Sequence, residues 1–266
     1  MTKLVDQTYL RTDQYRDASN LNARIVVHER FSTNPQGWFS WVWDTLTTLP
    51  AAAKVLELGS GSGVLWMACA DRIPPNWSII ISDFSAGMLD AAWRNLVTVN
   101  RGFKFEIIDA QTIPYPDESL DIVLANHMLY HVPDRPKAFA EIRRVLKPGG
   151  TLIATTVGEN HLKVLNDWLK RVSLVSDFQP FYNSFTLENG LGQLQPFFAS
   201  IVLKRYEDNL HITEIDPLMA YIRSSIRAAT LSEMALQTLK EDLECQLEKD
   251  GALFVTKDSG MFEARK

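Results

Sequence analysis

Three carboxylates in this chain each follow a short apolar run, and together they have the chemistry to hold the parts of a nucleoside. Val55, Leu56, Glu57 and Leu58 lead into Gly59-Ser60-Gly61-Ser62-Gly63. Glycine tolerates the unusual φ of such a turn and lets a ligand touch the backbone. A helical pattern over residues 64–69 follows at once, and its N-terminal N–H groups and positive dipole end suit a carboxylate or a phosphate. A glycine loop alone is a weak signal. In the dinucleotide pattern G-x-G-x-x-G the third glycine falls on Val64, so the loop departs from it. Asp83 closes the apolar run 78–83, 20 residues after Gly63 and close to the spacing of a ribose-binding acid. Its competing role is the N-cap of the next helix, for which Ser85 is equally placed. Asp109 follows the run 104–108. Its carboxylate could accept from an adenine amino group while the Ala110 N–H donates to a ring nitrogen; alone, it reads equally well as a turn acid. After the fourth run come His127 and His131, with ordinary pKa values near ~6.5 that suit proton transfer at neutral pH. Either is a candidate base for an acceptor that must lose a proton, and either could instead be a pocket wall. As an i, i+4 pair they would also suit a metal, but no third ligand accompanies them, so no metal site is expected.

The elements that must position these groups alternate strand and helix. Strands are expected at 54–58, 78–83, 104–108, 121–125 and 151–155, apolar on both faces, which implies a parallel sheet covered on both sides. Asp134 is a good N-cap for a helix over 135–146, and Lys147-Pro148-Gly149-Gly150 stops it. Before this core lies an aromatic-rich segment with a helix expected over 37–46. After it come helices at 162–172, 217–227 and 231–247, with strands at 200–205 and 260–264. In doubly wound sheets, ligands bind beyond the carboxyl ends of the strands. The expected organisation is therefore an N-terminal helical lid (1–50), a ligand-binding core (51–158), and a helical cap with the last strands (159–266), forming one compact unit. The first segment's aromatics, with Phe178, Phe181, Tyr182 and Phe185, could line an apolar acceptor pocket, although most aromatic stripes are core.

Composition narrows the function. The 266 residues are 46% hydrophobic with a formal net charge of -5, ordinary for a globular chain. An acidic pI of about 5.6 argues against a general nucleic-acid binder. Cys69 and Cys245 stand far apart and outside any CxxC pattern, as free thiols of a reducing compartment do. No secretory signal and no apolar run of membrane-spanning length stands out, so a cytoplasmic protein without a membrane partner is expected.

The ordered set 55–63, Asp83, Asp109-Ala110, 121–127 and 146–150 resembles the class I S-adenosylmethionine-dependent methyltransferases, in particular the small-molecule group called methyltransferase type 11. The resemblance covers about residues 54–156. It implies an α/β fold: a Rossmann-like, doubly wound, mostly parallel seven-stranded sheet with a helical cap and N-terminal helices. It also implies S-adenosylmethionine as cofactor, with S-adenosylhomocysteine as product. Gly59, Ser60 and Gly61 would let the methionine part approach, and Glu57 and Asn126 would lie by its amino group. Asp83 would hold the ribose, and Asp109, Ala110 and Gln111 would bind adenine. Phe84 and Met88 would complete the lining. The stretch 15–25 is similar to a leader that folds over the cofactor in a bacterial subset. There Tyr15 would set an aromatic face near the sulfonium, or simply pack, and Arg24 would meet the carboxylate. Asn126-His127-Met128-Leu129 lacks the Asn-Pro-Pro-aromatic tetrapeptide of adenine-N6 and protein-glutamine methyltransferases. The expected partner is therefore a small-molecule methyl acceptor, with no nucleic acid, on a monomer or homodimer. The reaction implied is methyl transfer to O, N or C of a metabolite. Two alternatives remain: a catalytically silent protein that only binds the cofactor, and a nicotinamide oxidoreductase.

Overall fold

The computed structural model describes residues 3–173, 184–226, 228 and 231–266. The five expected core strands form as β1 (Ala52–Leu58), β2 (Asn76–Asp83), β3 (Phe103–Ile107), β4 (Leu120–Asn126) and β5 (Leu146–Val157). With β6 (Ser200–Tyr206) and β9 (Ser259–Arg265) they make one seven-stranded sheet in the order β3-β2-β1-β4-β5-β9-β6. The first five run parallel, and β9 is antiparallel to both neighbours. The order reverses between β1 and β4, which places a crevice at their carboxyl ends.

The inner strands β1, β2, β4 and β5 are buried on both faces, as their continuous apolar character requires, whereas β3, at the sheet edge, is only partly buried and exposes Lys104 and Ile107, contrary to the expectation of a strand covered on both sides. Val55, Ile79, Ile81, Leu124 and Ile153 pack on one face against α3 (Trp38–Leu46), α4 (Val64–Ala68) and α5 (Ala86–Leu96), with Trp43 and Trp66 at the centre. Leu56, Leu58, Val123, Leu152 and Ala154 pack on the other, against Ala138, Phe139, Ile142 and Val145 of α6 (Arg135–Val145). Asp134 caps α6 by accepting from the Lys137 N–H at 3.0 Å. Phe185 sits in this core between Phe139 and Phe262, so it is not a cavity aromatic. Phe178, Phe181 and Tyr182 lie outside the described residues.

A second apolar core forms the cap. It joins Val27 and Phe31 of α2 (Ser19–Phe31) to α7 (Lys163–Val172), α9 (Ile215–Arg223) and α10 (Glu233–Asp250), and to a small antiparallel sheet of β7 (Asn209–Ile212) and β8 (Leu253–Thr256). The N-terminal helices are thus divided: α3 belongs with the sheet and α2 with the cap, the short α1 (Gln7–Tyr9) precedes both, and α8 (Gly190–Leu194) lies against β6 and β9. Asp208, fully buried, ties the pieces together. It accepts from Ser32 Oγ (2.7 Å) and the N–H groups of Thr33 and Asn34 (2.9 and 3.0 Å), and pairs with Lys257. The small sheet is absent from the sequence reading because each strand has only four residues, too few for alternation to register. Helix α9 ends at Arg223, short of the expected 227; the Ser224 hydroxyl turns back to the Tyr221 carbonyl at 2.6 Å.

Candidate functional site

A cavity of about 1320 Å³ opens between the carboxyl ends of β1, β2 and β4 and the underside of the cap. The glycine loop forms part of its floor. Gly59, Gly61 and Gly63 all have positive φ (64°, 55° and 73°), conformations that side-chain-bearing residues rarely adopt. A Cβ on Gly59 would stand 2.7 Å from Met128 Cβ, and one on Gly61 2.7 Å from Leu21 Cδ2, so the loop is also closed to any larger residue by packing.

Glu57 is 2% exposed, held by two neutral donors: Trp66 Nε1–H to Oε2 (2.5 Å) and Asn126 Nδ2 to Oε1 (2.9 Å). Burial pushes its pKa up to about 7 against the lowering effect of these two bonds, and Asp83 adds to the rise. A lining carboxylate so desolvated is matched by a cation in the cavity. Asp83 is 5% exposed. It accepts from the Gly61 N–H (3.0 Å) and from the Ser85 N–H (2.9 Å), and burial raises it to about 6. The cap of α5 falls to Ser85, whose Oγ accepts from Met88 N–H at 3.4 Å, so Asp83 is not spent on that role. Asp109 also lines the cavity. Burial pushes its carboxyl up, but the donors of Gln111 and Gln7 outweigh this and leave it lowered. Gln111 does not line the cavity. Its amide instead grips both Asp109 oxygens (3.0 and 3.1 Å), because Asp109 turns the chain back on itself there.

The N-terminal stretch is a strap across the opening. Leu4 O meets His131 Nδ1 at 2.8 Å, and the Tyr15 hydroxyl meets His131 Nε2 at 2.9 Å. A carbonyl only accepts, so Nδ1 carries the proton and Nε2 accepts from Tyr15. Burial lowers the His131 pKa to about 4, so the ring is neutral in this network. Gln7 donates to Asp109 (3.1 Å), Gln14 to the Ser224 carbonyl (2.9 Å), and Ser85 Oγ to the Tyr15 carbonyl (2.6 Å). Sequence reasoning missed both glutamines and read Ser85 only as a helix cap, because these partners are 70 to 210 residues away. Arg24 stacks on the Tyr15 ring (5.4 Å), so the guanidinium covers the ring that the leader resemblance offered to a sulfonium. Its Nη2 is buried and unpartnered, as is Ser60 Oγ in the loop. A cavity-lining guanidinium with an unused donor suits an anion such as a carboxylate.

Where the strap passes α5, a Cβ on Gly87 would overlap the Arg16 carbonyl oxygen. Gly87→Ala is therefore expected to displace the strap and weaken ligand binding about tenfold, since small misplacements at a site are costly. Global stability should hold, because alanine favours a helix by roughly 1 kcal/mol over glycine. Parallel calorimetry and thermal melts check this; unchanged affinity would count against a strap in contact with ligand.

His127, at φ 48°, stacks on Trp38 at 5.0 Å and lines the cavity, with burial lowering it to about 4. A 3-10 turn at Leu129–His131 follows, so His127 and His131 do not share an α-helical face as the metal-pair spacing supposed. The cavity is therefore lined by Tyr15, Arg24, Glu57, Gly59, Ser60, Gly61, Asp83, Phe84, Met88, Asp109, Ala110, Asn126, His127 and His131. Buried carboxylates, an unpartnered guanidinium nitrogen and a bare glycine cradle match a ligand with an ammonium, a carboxylate and a ribose, which fits the cofactor the resemblance implied.

Comparison with known proteins agrees. A family described as "Methyltransferase domain" matches residues 56–154. The ubiquinone/menaquinone biosynthesis C-methyltransferase UbiE of Rickettsia rickettsii is 33% identical over 193 residues, covering 70% of this chain and 71% of the relative. Among solved structures, YcgJ of Bacillus subtilis superposes with a TM-score of 0.59 at 18% identity, covering 85% of this chain and 97% of that one. Phosphoethanolamine N-methyltransferase 2 of Haemonchus contortus, in complex with phosphomonomethylethanolamine and S-adenosylhomocysteine, gives 0.60 at 19%, covering 100% of this chain and 60% of that one. At these identities the structures carry the fold alone.

Proposed function

This chain belongs to the class I S-adenosylmethionine-dependent methyltransferases, and from that premise we propose that its cavity transfers a methyl group to a small-molecule acceptor and assigns each cofactor part to a named residue. S-adenosylmethionine, when bound, supplies a methyl group on a positively charged sulfur and leaves as S-adenosylhomocysteine. Glu57 and Asn126 would hold its ammonium and Arg24 its carboxylate. Asp83 would accept from the ribose hydroxyls, and Asp109 with the Ala110 N–H would take the adenine edge. The observation that carries this reading is Glu57, a cavity carboxylate whose hydrogen-bond partners are both neutral.

The strap supplies closure. Tyr15 and His131, joined by their hydrogen bond, would hold the N-terminal stretch over the cofactor and keep water out, which strengthens every charge interaction inside. With both ring nitrogens engaged, His131 serves positioning rather than proton removal. His127 is the better candidate to take a hydrogen bond from the acceptor. Its low basicity suits that task more than full deprotonation. Orientation can supply several kcal/mol, up to about 10, of the barrier reduction. The relative's printed name, a C-methyltransferase, supports reading carbon as the first acceptor atom to test, ahead of oxygen and nitrogen. The absence of a helix long and apolar enough to cross a membrane among the described residues is consistent with a cytoplasmic enzyme.

The test is S-adenosylhomocysteine formation from S-adenosylmethionine with a panel of phenols, hydroquinones and amines. Turnover with at least one member is expected. Tight cofactor binding with no turnover on any would favour a silent cofactor-binding protein.

A further inference from the structure

The part of the cavity under the cap carries chemistry that cofactor binding leaves unused. Helix α2 turns Leu21, Arg24, Ile25 and His28 toward the cavity, at the i, i+3, i+4, i+7 spacing of one helical face. Arg24 and His28 are one turn apart, roughly 6 Å. If Arg24 faces the cofactor, His28 stands one turn further toward the cap.

Its surroundings come from three other elements. Tyr221 of α9 meets the His28 ring edge-on at 5.7 Å. His161, just before α7, lies 6.2 Å away, and its Nδ1 accepts from the Asp258 N–H at 3.2 Å. Leu162 and Leu165 add apolar wall. Charge is balanced here: Lys257 is 5% exposed and already paired with the fully buried Asp208. Away from the three acids, the cavity's other carboxylates, Glu29 and Glu159, are exposed to solvent. His28 Nδ1, by contrast, is buried with no hydrogen-bond partner. A buried polar nitrogen at a cavity wall is satisfied when a ligand group reaches it. Burial, with Lys257 and His161 adding to it, holds the His28 pKa well below its ordinary value, so the ring meets its ligand uncharged.

We infer that His28 is the specificity residue of an acceptor subsite, its Nδ1 hydrogen-bonding a hydroxyl of an uncharged, largely apolar acceptor seated between His161, Tyr221 and Leu165. A neutral imidazole serves a hydroxyl as donor or as acceptor but cannot balance an anion. An ammonium would lie near Lys257 and Arg24, with the buried Asp208 already taken. This subsite rests on the methyltransferase reading, and the experiment separates the two.

The full chain, saturated with S-adenosylhomocysteine, is titrated with three fluorescent probes: 2-naphthol, 2-methoxynaphthalene and 2-naphthoate. The wild-type protein should bind 2-naphthol about tenfold more tightly than the methyl ether, the scale of one buried hydrogen bond. His28→Phe should leave S-adenosylhomocysteine affinity unchanged and bring the two probes within about threefold of each other. His28→Leu gives the same readout should phenylalanine prevent folding, and His28→Asn, whose amide can reach the Nδ1 position, should restore part of the preference. No binding of 2-naphthol by the wild type, a preference that survives in His28→Phe, or tighter binding of 2-naphthoate would each overturn the subsite. Failure of the wild type to bind S-adenosylhomocysteine would instead overturn the reading beneath it.

Discussion

Asp83→Ala should lower affinity for S-adenosylhomocysteine by at least about a hundredfold. Each hydrogen bond to a charged acceptor is worth roughly 1.5–3 kcal/mol, and the carboxylate can take one from each ribose hydroxyl. Its present partners leave it free to do so. Gly61 and Ser85 N–H groups hold one oxygen each, and each oxygen keeps a further lone pair for a ligand. Asp83→Asn keeps the shape but turns an amide NH2 toward one of those backbone donors, so it too should bind weakly. Calorimetric titration of both variants checks the expectation. Full affinity in Asp83→Ala would remove Asp83 from the ribose site and leave it a turn-forming residue.

The second large effect is a trade between stability and binding at Glu57. Its folded pKa is raised from 4.5 to about 7, chiefly by burial. An acid raised on folding favours the protonated form of the native state, so its contribution to stability is fully present below pH 4.5 and lost as pH rises through 7. Asp83, raised to about 6, acts in the same direction. The ligand-free protein should therefore melt higher near pH 5 than near pH 8 so far as these groups decide it. Glu57→Gln removes the charge. Trp66 can still donate to the amide oxygen, and Asn126 can turn its carbonyl to accept from the amide NH2. The variant should gain on the order of 3 kcal/mol of ligand-free stability at pH 8. It should also lose about a hundredfold in affinity for S-adenosylmethionine, whose ammonium would lack a counter-charge. Melting curves across pH and a calorimetric titration measure both halves. A variant that binds as well as wild type would show that the ammonium sits elsewhere.

Much of the cofactor half could be read from the residues because its signals are local. The inner strands, buried on both faces, are continuous apolar runs, and Glu57, Asp83 and Asp109 stand within or just past the ends of theirs, Glu57 beside the glycines that permit the turn. The strap is less legible. Tyr15 and Arg24 stood out through a resemblance, but Gln7, Gln14 and Gly87 did not, because their meaning lies in contacts with Asp109, Ser224 and Arg16 that no periodicity encodes. His127 and His131 show the same limit within one short peptide. Their types and spacing made them equivalent candidates. Both rings line the cavity, and only the arrival of Leu4 and Tyr15 at the second, engaging both its nitrogens, marks His131 as the positioning histidine. His28 was invisible as a site residue for a similar reason: its neighbours come from α9 and from the turn before α7, more than 130 residues on. The two-stranded sheet of the cap escaped because two four-residue strands carry too little pattern.

This cavity is built for S-adenosylmethionine and not for a dinucleotide. Thermal melts of the full chain with S-adenosylhomocysteine, NAD or NADP at equal concentration address it most directly. A ligand present at 100 times its Kd stabilises the native state by about 2.7 kcal/mol, a shift of roughly 5–10 °C for a chain of this size. That rise is expected with S-adenosylhomocysteine alone. Stabilisation by NAD or NADP without any response to S-adenosylhomocysteine would show a dinucleotide site instead.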